Sequence, residues 1–260
     1  MTRKCRYRAI VEYDGTDFLG YQIQASGRTV QGEIEKSLRQ VTQSDIRIDG
    51  AGRTDAGVHA TGQVIAFNVA WKHATPDLQR ALNATLPGDI VISHLNIVDD
   101  TFHPRFNALS RLYCYVIVNQ PWPSVLQRRY AYHIREKLDV IAMQKANQFL
   151  LGSHDFASFG KPPQGENTVR TVTQAEWLVD KQRLTFYIAA NAFLYRMVRT
   201  IVGTLIQVGK GELAASEMRN ILDARDLTRS APPVPAHGLC LIQVTYPPER
   251  EPSLGGRSVR

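Results

Sequence analysis

The chain has 260 residues, 43% hydrophobic and 21% charged, with a net charge of +7. That length and apolar content suffice for one large domain or two small ones and exclude a disordered or fibrous chain, while the positive balance favours a polyanionic partner, nucleic acid being the commonest. Cys5, Cys114 and Cys240 are widely spaced with no CxxC, no apolar stretch marks a signal peptide, and no run approaches a membrane span, so the expectation is a cytoplasmic protein with no disulfide scaffold and no membrane partner.

In chain order, residues 6–13 read as a strand that ends in the turn signal Asp14-Gly15. Val30, Ile34, Leu38 and Val41 have helical spacing over 30–42. Strand-like runs follow at 46–50, 62–69 and 89–98, with a short helix at about 76–84 and a Pro/Gly loop before the last of them. The second half shows a related order. A strong strand at 110–119 precedes a helix at about 139–151, for which Asp139 is a plausible N-cap and Gly152 a stop. Strands at 169–179 and 183–190 flank the turn Asp180-Lys181, and a long helix is expected over about 191–208. Its apolar pairs recur every four residues, with Arg196 and Arg199 beside that stripe on a shared face. A short helix near 214–223 and a strand at 239–246 complete the pattern. Strands and helices mix without regular βαβ alternation, which predicts an α+β fold with largely antiparallel sheets. Domain limits are expected at 1–104 and 105–246, with a disordered Pro/Gly/Arg-rich tail over 247–260.

The stretch 50–63, GAGRTDAGVHATGQ, is the most informative. Its glycines and alanines permit close approach of backbone to a ligand, and they surround Arg53, Asp55 and His59. Arg53 and Asp55 are two apart, so in an extended segment they project to one side. An aspartate ionises at neutral pH unaided. Arg53 therefore either aims the carboxylate or holds a phosphate or a displaced base; a structural salt bridge is the plainer alternative. His59, with His73 and His103, lacks metal-ligand spacing, and a hydrogen-bonding role suits a loop histidine better. Tyr113 and Tyr115 share a strand face with Ile117, either as core or with one ring stacking on a base. Arg105 and Arg111 lie nearby in sequence, and cations interleaved with aromatics suit an RNA surface. Arg196 and Arg199 could aim at phosphates or at Asp55.

The stretches VEYDGTDFLGYQ (11–22), AGRTDAGVHATGQV (51–64), NATLPGDI (83–90), FHPRFNA (102–108), RLYCY (111–115), NAFLYRMVRTIVG (191–203) and HGLCL (237–241) together resemble the tRNA pseudouridine synthase I family, the TruA type, in order from about residue 8 to 246. The resemblance implies the pseudouridine synthase fold, in which two similarly built α+β halves have sheets that meet along a central cleft. It implies a homodimer that needs no cofactor and no metal. The implied activity is isomerisation of uridine to pseudouridine at positions 38, 39 and 40 in the anticodon stem-loop of tRNA. The family's catalytic aspartate falls on Asp55, its active-site tyrosine on Tyr113, the arginine of its GRTD motif on Arg53 and that of its MVR motif on Arg199. Tyr113, Arg53, Arg105, Arg111 and Arg196 are the expected substrate contacts. One departure is visible: family members commonly carry Trp where this chain has Tyr21, another aromatic able to pack or stack. A non-catalytic RNA-binding module would account for the charge and aromatics but not for the Asp55 loop, and a metal-dependent hydrolase built on Asp55 and His59 is the other competing reading.

Overall fold

The computed structural model describes residues 3–248. In chain order the regular elements are β1 (Lys4–Tyr13), α1 (Val30–Thr42), β2 (Asp49–Gly50), β3 (His59–Ala70), α2 (Thr75–Thr85), β4 (Ile90–Val98), β5 (Ser110–Asn119), β6 (Tyr132–Ile134), α3 (Val140–Asn147), β7 (Gly152–Asp155), β8 (Val169–Asp180), β9 (Arg183–Ala190), α4 (Met197–Gly209), α5 (Glu217–Ala224) and β10 (Leu239–Thr245). All the strands belong to one sheet, whose main path runs β4-β1-β3-β10-β5-β9-β8-β7. It is antiparallel except where β10 lies along β3 and β6 along β5. The α+β reading with a largely antiparallel sheet therefore holds.

Each half of the sheet carries its own helices. On the first, Val30, Ile34 and Leu38 of α1 are fully buried, as their spacing requires. Thr29 caps that helix by accepting from the Gly32 N–H, and Gln43 ends it in the left-handed region at φ 55°. Leu78 and Leu82 of α2 face the same core. On the second half, α4 is buried along almost its whole length, with Arg199 and Gln207 the partly exposed positions. The halves are joined by β10, which pairs antiparallel with β5 (Cys240 opposite Cys114, Leu241 opposite Tyr113) and parallel with β3 (Cys240 beside His59). At this seam the backbones approach so closely that a Cβ on Gly62 would lie 1.9 Å from the Ile242 carbonyl oxygen.

Several elements depart from the sequence reading. The helix expected from residue 191 begins only at Met197. Ahead of it the backbone of Tyr195 bridges to Lys161, and Arg196 takes φ 60° as the N-cap, so the first helical bond is the one its carbonyl accepts from the Thr200 N–H. Arg196 and Arg199 consequently do not share a helix face. The helix at 139–151 ends at Asn147 and tightens into a 3-10 turn over Gln148–Leu150, with Asp139 accepting from the Ala142 N–H as its cap. The run at 46–50 contributes only Asp49–Gly50 to the sheet, because the Ile48 N–H is taken by the Glu35 carboxylate. The short strands β6 and β7 carry no alternation long enough to read. The tail expected at 247–260 lies, from residue 249 onward, outside the described residues. Among the described residues no helix is long and apolar enough to cross a membrane.

Candidate active site

The loop between β2 and β3 is held from behind along its length. The Ala51 N–H donates to the Val64 carbonyl, and the fully buried Gln63 donates its amide to the Gly52 carbonyl. Thr54 points inward: its carbonyl accepts from the Tyr21 N–H and its hydroxyl pairs with the Tyr13 hydroxyl at 2.7 Å. Arg53 and Asp55, flanking it, therefore turn outward together, as an extended segment dictates. The chain then folds back, with the Val58 N–H on the Asp55 carbonyl and Gly57 at φ +78°. Gly15 packs so tightly beneath the turn that a Cβ there would lie 2.0 Å from the Val58 carbonyl oxygen.

Asp55 meets its partner from the other half of the sheet. Arg199 Nη1 donates to Asp55 Oδ2 at 2.8 Å, and Arg199 Nε donates to the Val234 carbonyl at 2.7 Å. The guanidinium is thus fixed on two sides, and the carboxylate is aimed by a charge-assisted bond. The Asp55 side chain is 25% exposed. Its second oxygen, Oδ1, has no hydrogen-bond partner among the described residues. One face of the carboxylate is anchored and the other is open.

Tyr113, on β5, completes the centre. It is 8% exposed, and its ring and the Phe193 ring form a T-shaped pair, their centres 5.1 Å apart and their planes at 85°. A Cβ on Gly52 would sit 3.9 Å from its hydroxyl, which places that group against the Asp55 loop. Burial pushes the Tyr113 phenol up to about 12; the Asp55 charge adds to the rise and Arg111 opposes it. The hydroxyl therefore stays protonated at neutral pH. Tyr115, on the same strand face, is fully buried and donates to the Pro235 carbonyl at 2.8 Å, so it belongs to the core.

The other expected site residues are distributed around this centre. Arg53 is exposed and makes no hydrogen bond or ion pair among the described residues. Arg196 is exposed at the start of α4 and lies 4.8 Å over the Tyr195 ring. Arg105 lies 5.6 Å from the centre of the Phe106 ring, which is 74% exposed. Arg111 is buried and donates only to backbone carbonyls. His59 Nε2 lies 2.8 Å from the Arg129 carbonyl, which can only accept, so that nitrogen carries the proton. Nδ1 then accepts from the Gly15 N–H at 3.0 Å. This is the hydrogen-bonding role expected of a loop histidine. Tyr21 is buried beside Tyr13 behind the loop, so the aromatic at that position packs rather than stacks. Tyr13, Gln63, Phe193 and Val234 were not legible as site residues. They act through a backbone carbonyl, a side-chain amide, a ring or a hydroxyl, and their types alone announce core or loop.

A family model described as tRNA pseudouridine synthase matches residues 9–107 and 146–247. A tRNA pseudouridine synthase A from Brevibacillus brevis is 46% identical over 244 residues, covering 93% of this chain and 99% of the relative. Proteins of the same name from Thermosipho melanesiensis and Bacillus subtilis are 42% and 40% identical at the same coverage. With the matched segments spanning most of its length and relatives aligned almost end to end, the chain belongs to the tRNA pseudouridine synthase family.

Proposed function

We propose that this protein isomerises uridine to pseudouridine at positions 38, 39 and 40 of the anticodon stem-loop of tRNA, acting in the cytoplasm as a homodimer without cofactor or metal. The chain divides on this reading at residues 104 and 105, into a half that presents Asp55 and a half that supplies Tyr113 and Arg199. The observation that carries the proposal is the Asp55 carboxylate, anchored through one oxygen by Arg199 and open at the other, beside a protonated tyrosine hydroxyl.

The reaction breaks the N1–C1′ bond, turns the uracil and joins C5 to C1′; C5 then loses its proton and N1 gains one, so atoms and electrons balance within the nucleotide. The uridine first leaves its stack, at a cost of a few kcal/mol. Stacking on the Tyr113 ring, about 1–3 kcal/mol per base, offsets part of that. Arg53, exposed beside Asp55, fills the vacated space or grips the backbone, and Arg105 and Arg196 are the remaining candidates for RNA contact, since the terminal donors of Arg111 are all taken by backbone carbonyls. The open Asp55 oxygen then attacks C1′, adds to C6, or removes the C2′ proton. All three routes use an ionised carboxylate whose direction Arg199 sets. Because Tyr113 is protonated, it accepts the C5 proton only while passing its own to an acceptor, so it works as a relay.

The test is to map pseudouridine in unmodified tRNA treated with the wild-type protein and with Asp55→Ala. Pseudouridine at 38, 39 and 40 with the wild type, and none with the variant, is expected. Modification at other positions overturns the site assignment, and an active variant overturns the role of Asp55. Sedimentation of the wild-type protein at monomer mass would remove the homodimer.

A further inference from the structure

A charged side chain buried without a counter-ion is costly, and Arg111 is one. It is 8% exposed, burial draws its pKa below the ordinary arginine value, and no carboxylate is among its hydrogen-bond partners. Its two terminal nitrogens carry four N–H groups, and all four are used. Nη1 donates to the carbonyls of Asn191 at 2.8 Å and Ala108 at 3.4 Å; Nη2 donates to those of Arg105 at 2.6 Å and Ala51 at 3.1 Å.

These four carbonyls come from three segments far apart in the chain. Ala51 begins the loop that carries Asp55. Arg105 and Ala108 belong to the loop before β5. Asn191 begins the non-helical link that carries Phe193 and runs into Arg199. Arg111 itself precedes Tyr113 by two residues on the same strand face.

We infer that Arg111 is a positioning residue for the isomerisation: its planar guanidinium fixes the Asp55 loop, the Arg105 loop and the Phe193–Arg199 link against the strand that bears Tyr113. The inference rests on the catalytic reading of Asp55 and Tyr113 given above. Only a planar fork with four terminal donors satisfies carbonyls on two sides at once. A lysine supplies three donors from one point and leaves at least one of these carbonyls unpaired. A residue so placed has no terminal N–H left for a phosphate, so it acts on the chemistry through geometry rather than through RNA affinity.

The experiment compares wild type, Arg111→Lys, Arg111→Met and Asp55→Asn, each checked for folding by near-UV circular dichroism. It measures kcat and KM for tRNA, and tRNA Kd across a salt series. For Arg111→Lys and Arg111→Met, kcat should fall about 10–100-fold, since sub-ångström misplacement of reacting groups has effects of that order. KM, Kd and the slope of log Kd against log salt should match wild type, with Arg111→Lys the milder of the two. A salt slope reduced by about one, with binding weakened for every tRNA, marks a phosphate contact and overturns the inference. So does an unchanged kcat in either folded variant. Failure of both variants to fold also overturns it, by making Arg111 a determinant of folding alone. An active Asp55→Asn would instead reject the catalytic reading, and that outcome is separate from any of these.

Discussion

Asp55 and Arg199 are 144 residues apart in the chain and 2.8 Å apart in the fold. That single bond gives the two carboxylate oxygens different surroundings: one is oriented by Arg199, and the other, the reacting oxygen of the proposed mechanism, has no hydrogen-bond partner among the described residues. Tyr113 adds a hydroxyl that burial keeps protonated up to about 12. Tyr113→Phe retains the ring, its contact with Phe193 and its capacity to stack. The variant should bind tRNA within a few-fold of wild type, while kcat falls about 100-fold and release of tritium from 5-tritiated uridine lags behind glycosidic cleavage. Equal tritium release by the two proteins would leave the hydroxyl with no chemical part. The raised pKa also means that the wild-type rate profile between pH 6 and 9 should contain no limb that Tyr113→Phe removes. The sequence made Asp55 legible because a carboxylate in a Gly/Ala-rich loop has few structural reasons to be there. Arg199 was harder to place. Within a helical pattern it was one of two arginines beside the apolar stripe, either able to aim at phosphates or at Asp55; the family resemblance singled out Arg199, and the fold brings that one to the loop.

At the scale of elements, the seam decides the site. β10 holds β3, which follows the Asp55 loop, beside β5, which bears Tyr113. Its fit depends on a bare Cα at Gly62, where a side chain would collide with backbone rather than with a flexible tip. Gly62→Ala should therefore cost about 1–3 kcal/mol and lower Tm by about 2–12 °C. Activity measured well below the new midpoint should also drop, because the displaced strand separates Asp55 from Tyr113. A melting curve and rate identical to wild type would show that the strands are not held this closely. The elements α1, β1, β3, β5, β8 and β9 could be read from the chain, α1 by its helical spacing and the strands by apolar and β-branched runs bounded by turn residues, although β3 and β9 are buried on both faces over most of their length. The link at 191–196 could not: Phe193 and Leu194 keep helical phase with the stripe that follows, while pairing of Tyr195 with Lys161 keeps the backbone extended. That pairing is tertiary and leaves no local trace.

Across the whole molecule, the buried tyrosines set an alkaline limit. Burial raises Tyr13, Tyr21, Tyr113 and Tyr115 above the ordinary value of 10.0. In each case the folded state holds the phenolic proton more tightly than the unfolded chain does. Their contribution to stability is complete below pH about 10 and is lost as the pH rises beyond it, because the unfolded tyrosines ionise first. Tm should stay level up to about pH 9.5 and then fall steeply, with phenolate absorbance appearing together with unfolding. Free titration of all ten tyrosines near pH 10 in a folded protein would contradict this. The fold class was legible in the order of elements, and the union of both halves in a single sheet was not, since neither β10 nor its neighbours announce which strands they join.

The strand that closes the sheet lies almost at the end of the described chain. During synthesis, β3 and β5 both emerge long before residues 239–245 leave the ribosome, and each waits with the stretch that β10 will pair still open: His59 and Ala60 of β3, and Ser110–Tyr115 of β5. Among the described strands, the one that joins the two sides of the proposed catalytic centre is therefore the last to arrive, a seven-residue segment. A nascent chain interrupted ahead of that segment carries both the aspartate and the tyrosine but cannot bring them into register.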